Sequence, residues 1–301
     1  MDRIQTMSAF VAVAEEAGFA PAARRLGVSP PSVTRAVSEL EIRLGARLFY
    51  RTTRSVRLTE TGERYLADCR RILTEIEEAD RHAAGIHAAP QGLVMISASA
   101  LFGRIYVAPI LLDLLDQYPG ISFNTLFVDR IVHLIEEGVD VAVRIAELPD
   151  SSFSAIRVGS MRRVICASPE YLAAHGTPER PQELRDHETI NSAHMALGGE
   201  WTLETNGKRF GVKLNSRLTV NNADTAIAGA VAGRGITRVL YYMIAQQLEA
   251  GTLKIILEDY ELPAAPVHVL HKEAGHTSAR TRAVVDYLAE QLRKEPVLAL
   301  G

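Results

Sequence analysis

Hydrophobic positions change their period along the chain, and each change predicts a different element. Ile4, Met7, Phe10, Val11 and Ala14 share one helical face, which predicts a helix over residues 4–16. In FAPAARRLGVSPPSVTR, residues 19–35, Ala22 and Leu26 stand four apart, and Ala23 is small where two helices must cross. Gly27 suits a tight turn between helices, because a side chain there would need a strained φ. Ser29 can cap the next helix, and Pro30 suits a first turn whose N–H is unsatisfied anyway. Helices are thus predicted over 20–26 and 30–44. Val33 and Ala36 face inward, Leu40 and Leu44 continue that stripe, and Gly45 stops the helix. Pro30, Pro31, Ser32, Thr34, Arg35 and Ser38 are left pointing outward.

In LFYRTTRSVRLTE, Leu48 and Tyr50 alternate, as do Val56 and Leu58, around the polar, basic tip Thr52-Thr53-Arg54-Ser55. That is a short two-stranded ribbon, a wing. A long helix is predicted from Thr59 to about Ala89, capped by Thr59 or Thr61. Tyr65, Cys69, Ile72, Ile76, Ala79, Ala83 and Ile86 are spaced 4-3-4-3-4-3 along it, a heptad seam that fits helix–helix dimerisation. The competing reading is an amphipathic helix lying on its own domain.

Pro90-Gln91-Gly92 marks a boundary, after which strands and helices alternate. Strands are predicted at 93–98, 121–128 and 139–145, with helices at 103–118 and 131–137. A second set follows, with strands at 164–167, 201–205, 210–214, 217–220, 236–240 and 253–257, and helices at 169–175, 223–232 and 242–250. Asn206-Gly207 reads as a hairpin turn. Strand 267–271 and helix 278–293 close the chain. Strands this apolar, separated by helices, predict parallel sheets covered on both faces, in two similar lobes with a ligand cleft between them.

Composition alters this picture little. The chain has 301 residues, 47% hydrophobic and 23% charged, as in an ordinary globular protein of two or three units. The two cysteines fit a reducing compartment, and the N-terminal sequence does not read as a signal peptide, so a cytoplasmic location is expected. No 18-residue apolar run exists, so no membrane partner is expected. Net charge is −3, but up to Tyr65 ten arginines stand against seven acids, and no acid lies between Arg43 and Arg57. No lysine precedes Lys208, which codon bias would also produce. An outward, basic helix start after a helix and a tight turn is the layout that enters a DNA major groove.

Over essentially its full length the chain resembles the LysR-type transcriptional regulators. The resemblance rests on FVAVAEEAGF, on AARRLGVSPPSVTRAVSELEIRLGARLFYRTTRSVRLTETG, on DVAVRIAELPDSS and on ASPEYLAAHGTP. It implies a multidomain fold: an α-helical winged helix-turn-helix, a long linker helix, then an α/β two-lobed periplasmic-binding-protein-like effector domain. The expected divisions are 1–58 for DNA binding and 59–89 for the dimerising helix. The effector domain is 90–301, with lobe I at 90–160 and 266–301 and lobe II at 161–265. The expected partners are double-stranded operator DNA, a polar or anionic small-molecule effector, further copies of the chain as homodimer or homotetramer, and RNA polymerase. By the same resemblance Pro30, Pro31, Ser32, Thr34 and Arg35 fall on major-groove positions. Arg54 falls on the wing-tip arginine of the minor groove, and Arg51, Thr52 and Thr53 on phosphate contacts. Pro21 and Tyr241 depart from the family pattern.

Effector contacts are expected at strand ends and helix starts: Ser97, Ser99, Ala100, Leu101, Phe102, Val128, Asp129 and Arg144 in lobe I, and His194, Asn221 and Thr237 in lobe II. Ser99 lies beside helix N–H groups that could receive a carboxylate, and Arg144 could meet an anion or form a structural ion pair. No cofactor or metal site is expected. Gly233-Arg234-Gly235 lacks a third glycine and precedes a strand, the reverse of a dinucleotide loop. His268 and His271 are three apart on one strand and point to opposite faces, and His276 joins neither. His82 and His87 are poorly spaced for sharing a metal. Cys166 reads as a packed core residue. No nucleophile–base pair can be assembled, so an enzyme fused to a DNA anchor is disfavoured and no catalytic residue is named.

Overall fold

The computed structural model describes residues 2–51, 56–83, 89–148, 153–192, 199–272 and 278–299. The chain divides into two compact units, Met1–Leu93 and Val94–Gly301. In the first, α1 (Arg3–Glu15), α2 (Phe19–Leu26) and α3 (Pro30–Leu44) precede a ribbon of β1 (Phe49–Arg51) and β2 (Val56–Leu58), followed by α4 (Glu60–Ala83). Helix α1 buries Thr6, Met7, Ala9, Phe10, Ala12 and Val13. This face is wider than the expected stripe and rotated from it, leaving Ile4 41% exposed. The reason is that α2, α3 and α4 all pack on α1, and Ala9 and Ala12 permit their close approach. Thr6 is tolerated there because its hydroxyl donates to the Arg3 carbonyl (2.8 Å).

Ala22, Ala23, Val33, Ala36, Val37 and Leu40 are buried as the turn requires. Leu26 and Leu44, expected inside, are exposed. Each is the last residue of its helix, before Gly27 and Gly45, both at φ +65°, and lies beyond the core. Leu48 and Phe49 are both buried while Tyr50 is exposed, so the expected alternation from Leu48 fails. Phe49 is held by the rings of Phe10 (5.2 Å) and Phe19 (6.1 Å).

Thr59 caps α4: its hydroxyl oxygen accepts from the Gly62 N–H (2.9 Å), and the hydroxyl donates to the Arg47 carbonyl (2.8 Å). A Cβ at Gly62 would lie 2.1 Å from the Leu48 carbonyl oxygen, so only glycine lets α4 approach β1 this closely. Tyr65, Leu66, Cys69, Ile72 and Leu73 then pack on the helical core, and Arg70 pairs with Glu15 (2.9 Å). The first three seam positions, expected to face a second copy, therefore lie on the chain's own head. Ile86 lies outside the described residues.

In the second unit, β3 (Gly92–Ala98) leads into a continuous helical run: α5 (Ala100–Phe102), a π-helical stretch Gly103–Val107, and α6 (Ala108–Gln117). Next come β4 (Ile121–Phe127), β5 (Val141–Ile145), β6 (Phe153–Met161), β7 (Arg163–Ala167), α7 (Pro169–His175), β8 (Glu188–Ser192), β9 (Glu200–Thr205) and β10 (Lys208–Lys213). The chain then forms β11 (Asn215–Val220), α8 (Ala223–Val231), β12 (Ile236–Leu240), α9 (Ala245–Glu249), β13 (Lys254–Ile256), β14 (Ala265–Lys272) and α10 (Ala279–Arg293). Two five-stranded sheets result, ordered β4-β3-β5-β14-β6 and β11-β8-β12-β7-β13. The hairpin β9–β10 turns at Asn206 (φ 50°) and Gly207 (φ 73°), as the dipeptide predicts.

Three expectations fail here. The sheets are mixed rather than parallel: β3/β5 and β11/β8/β12 are parallel, while β14 and β7 are antiparallel to their neighbours. The cause is the crossing of the chain from one sheet directly into the other at β6–β7 and back at β13–β14. Segment 131–137 is turns, not a helix, with Ile131 81% and Ile135 64% exposed. Val132 and Leu134 turn into the core from it, two apart rather than at helical spacing, and the Glu137 carboxylate folds it by accepting from the His133 N–H and from both ends of the Arg130 guanidinium. Strands β6 and β8 were not expected.

Arg162 is the single residue between β6 and β7. Its guanidinium makes a two-pronged pair with Glu261 (both 2.9 Å) and reaches Glu258 (3.0 Å), on the return crossing. It also stacks on Tyr241 (5.8 Å), and its carbonyl accepts from the Tyr241 N–H (3.0 Å). Leu257, at the start of that crossing, takes φ +57°, a strained conformation for a γ-branched side chain. Arg162→Ala leaves the 11% exposed Glu261 without its cation and is expected to cost about 2 kcal/mol. Glu258→Ala, at an exposed pair, should cost less than about 0.5 kcal/mol. Urea unfolding midpoints of the two variants measure the contrast.

Candidate DNA interface and effector cleft

The turn Gly27–Ser29 sets α3 with its N-terminus outward. Pro30, Pro31, Thr34 and Arg35 are exposed, and Ser32 is half-buried. Ser29 caps nothing with its side chain; its hydroxyl meets that of Ser32 (2.8 Å). The Thr34 hydroxyl donates to the Pro30 carbonyl (3.0 Å), leaving its lone pairs outward. Arg35 makes no ion pair or hydrogen bond among the described residues. Arg51 differs: it pairs with Glu41 (2.5 Å) and its guanidinium lies over the Phe19 ring (5.0 Å). Glu41 in turn accepts from the N–H groups of Leu48 (2.8 Å) and Phe49 (3.2 Å), so Arg51 helps to lock the ribbon onto α3. Thr52, Thr53 and Arg54 lie outside the described residues.

One carboxylate also ties the head to α4. Glu15 accepts from Arg25 of α2 (2.6 Å) and Arg70 of α4 (3.0 Å). Burial pulls its pKa upward, but the two guanidinium bonds outweigh burial and hold the carboxyl below its ordinary value.

In the second unit the expected effector residues separate into groups. Ser97 is fully buried, and its hydroxyl oxygen accepts from Arg144 (3.1 Å), which also donates to the Val143 carbonyl (3.3 Å). Burial lowers the pKa of Arg144, and no carboxylate pairs with it among the described residues. Asp129 accepts from the Ala100 N–H (2.9 Å), and the Gly103 N–H returns to the Ser99 carbonyl. The chain's own carboxylate thus occupies an amide that was expected to be free beside Ser99. Ser99, Ala100, Val128 and Asp129 remain half-buried.

Leu101 (6% exposed) and Phe102 (1%) point into the hydrophobic core instead of lining a cleft. Thr237 is fully buried on β12 and donates to the Ile190 carbonyl (3.0 Å), which satisfies it within the sheet. Asn221 is exposed beside Asn222, the α8 cap. His194 lies outside the described residues. Cys69 and Cys166 are buried, and burial pushes their thiols up to about 11 and about 12, which leaves them unreactive.

Sequence reasoning missed Tyr242. With Leu240 it leaves the second sheet and enters the core of the first. Its ring meets Phe102 edge-on (5.3 Å) and Tyr106 (5.7 Å). Its hydroxyl is buried beside Ser99 without closing a hydrogen bond, and burial raises its pKa. The signal beside it was Tyr241, which departs from the family pattern after strand β12.

Comparison with known proteins decides the family. Residues 4–63 match the bacterial regulatory helix-turn-helix proteins of the lysR family, and residues 87–293 match the LysR substrate binding domain. The chain belongs to the LysR family. It is similar to an HTH-type transcriptional repressor of Pseudomonas aeruginosa strain UCBPP-PA14, 33% identical over all of this chain and 95% of that one. It is also similar to the HTH-type transcriptional activator AaeR of Escherichia coli K12, 31% identical over 96% of this chain and 94% of the relative. Among solved structures it resembles CrgA, a LysR-type transcriptional regulator from Neisseria meningitidis, with 29% identity, a TM-score of 0.60, and 96% and 98% of the two chains covered.

This LysR-type protein is therefore a DNA-binding transcriptional regulator with a substrate-binding domain, an N-terminal helix-turn-helix followed by a two-lobed α/β domain with mixed sheets. Its named relatives are transcriptional regulators rather than enzymes. No helix among the described residues is long and apolar enough to cross a membrane. Because the Tyr242 hydroxyl is buried without a partner, Tyr242→Phe should leave stability unchanged or raise it by about 1 kcal/mol. Tyr242→Ala should cost about 3–5 kcal/mol through the cavity it leaves. Urea unfolding curves measure both.

Proposed function

We propose that residues 1–58 read operator half-sites and that 59–89 and 90–301 pair copies of the chain. On this reading a small polar or anionic effector bound between the lobes of 90–301 shifts the spacing of paired heads. The observation that carries the DNA assignment is Arg35: an exposed guanidinium in the first turns of α3, unpaired among the described residues and flanked by Pro30, Pro31 and Thr34. A guanidinium so placed can fork onto guanine O6 and N7, with Arg54 entering the adjacent minor groove and Thr52 and Thr53 on phosphates.

Self-association has support in the second unit, where Ile105, Leu112 and Leu115 are 40%, 64% and 38% exposed along one helical run. In lobe I the half-buried Arg144, bonded among the described residues to Ser97 and a carbonyl, supports an anionic group on the effector. The reading includes no catalytic step, a cytoplasmic location and contact with RNA polymerase at the promoter.

Arg35→Ala should weaken specific binding by about 1–3 kcal/mol and relax base preference at one position of each half-site. Arg54→Ala should weaken A·T-flanked sites selectively. Binding selection on randomised duplexes, followed by fluorescence anisotropy, tests both, and an unchanged preference in both variants sinks the groove assignment.

A further inference from the structure

Three basic side chains stand in a row across the first sheet. His268 on β14 is paired on one side with Arg144 of β5 and on the other with Arg157 of β6. Residues paired across strands share a face. Ile156 and Val158 turn into the core beneath α6 and α10, so Arg157 takes the opposite face, with His268. A register shift in β6, between the partners of Val267 and His268, sets Arg157 against the histidine. Arg144 reaches from the row to Ser97 on β3 (3.1 Å). Like charges directly opposite one another in a sheet repel, yet no carboxylate forms an ion pair with Arg144, His268 or Arg157 among the described residues.

The middle of the row also holds a polar atom with nothing to bond. His268 Nδ1 is buried without a hydrogen-bond partner. Burial first, and the Arg157 charge second, hold the His268 pKa below its ordinary value, against the Ala146 backbone and Glu147. Arg144 faces the ring from β5, Arg157 from β6 and Glu147 from the turn after β5. Glu137, the acid whose charge acts on Arg144, is committed to Arg130 (2.6 Å). The ring is therefore neutral at neutral pH. An anion set between the guanidinium groups reverses this balance: it cancels the repulsion, and a protonated ring can donate to it from Nδ1.

We propose that Arg144, His268 and Arg157 form an anion subsite of lobe I for a carboxylate or phosphate group of a small ligand, and that His268 takes up a proton from solvent as that group binds. The half-buried Arg144 closes one end of the row, and Arg157, exposed on the edge strand β6, leaves the other end open to solvent. The proposal rests on the effector reading of 90–301 and deepens it: the effector is an acid whose affinity falls as pH rises.

The full-length protein is titrated calorimetrically with succinate and, separately, with sulfate, which stands for a phosphate group because it does not itself titrate near neutral pH. Buffers of low and high ionisation enthalpy are compared at constant ionic strength. Saturable binding of at least one anion is expected, with a heat that depends on the buffer because a proton is taken up. The preferred anion distinguishes a carboxylate from a phosphate ligand. Affinity should fall severalfold between about pH 6 and about pH 8. Arg144→Met should weaken binding at least about tenfold, 1.4 kcal/mol. Arg157→Met, at an exposed position where folding is not at stake, should weaken it as well. His268→Gln keeps a polar side chain but cannot take the proton, so the buffer dependence and the pH dependence should both vanish. No saturable binding of either anion, a buffer-independent heat in the wild type, an affinity unchanged in Arg157→Met, or proton uptake that persists in His268→Gln would overturn the assignment. Operator affinity with and without the bound anion tests the effector reading separately, since the calorimetric result does not depend on it.

Discussion

Everything in the two-sheet domain turns on how the chain passes between sheets, and that passage is organised by one guanidinium. Arg162 interrupts what would otherwise be a continuous strand from β6 to β7, and its side chain grips Glu261 and Glu258 on the return path. Its carbonyl and its face hold Tyr241. Next to Tyr241, Leu240 and Tyr242 insert into the core of the first sheet, while Val239 and Ile244 belong to the core of the second. The two lobes therefore share core residues at their junction. A ligand that shifts them must act against a partly buried two-pronged ion pair and an aromatic cluster, which favours small discrete rearrangements over free swinging.

The head has a comparable economy. Glu15 joins α1, α2 and α4, and Glu41 joins α3, both ribbon amides and Arg51. Gly62 lets α4 lie against β1. Helix α4 is thus packed into the head as its fourth helix, and the direction of its first half is bound to that of α3. Packed side chains and two carboxylates therefore connect α4 to α3.

The helix-turn-helix was legible because its signals are local: Gly27 and Gly45 at the stops, Pro30 at the first turn, and alanines where helices cross. Most strands of the second unit were legible for the same reason, as was the Asn206-Gly207 hairpin. Sheet direction was not, since the antiparallel insertion of β14 depends on partners more than a hundred residues away. Effector residues were read from strand ends; Ser97 and Arg144 are hydrogen-bonded neighbours there, while Phe102 and Thr237 are buried in the core and the sheet. Alternation tells which residues share a face of a strand, but not which face the core covers.

The sequence by itself determined where the first three helices of the head begin and end, the outward row from Pro30 to Arg35, and the family, because short-range sterics and the order of side chains settle these. Tertiary structure decided that the first three of the seven seam positions belong to the chain's own head, that Arg51 is engaged by Glu41, and that Tyr242 and Arg238 are buried with their polar atoms. Those outcomes depend on which distant surfaces meet. Burial, not residue type, determines whether an arginine is a solvated charge, as Arg35 is, half of an ion pair, as Arg51 is, or a buried guanidinium against an aromatic ring, as Arg238 is.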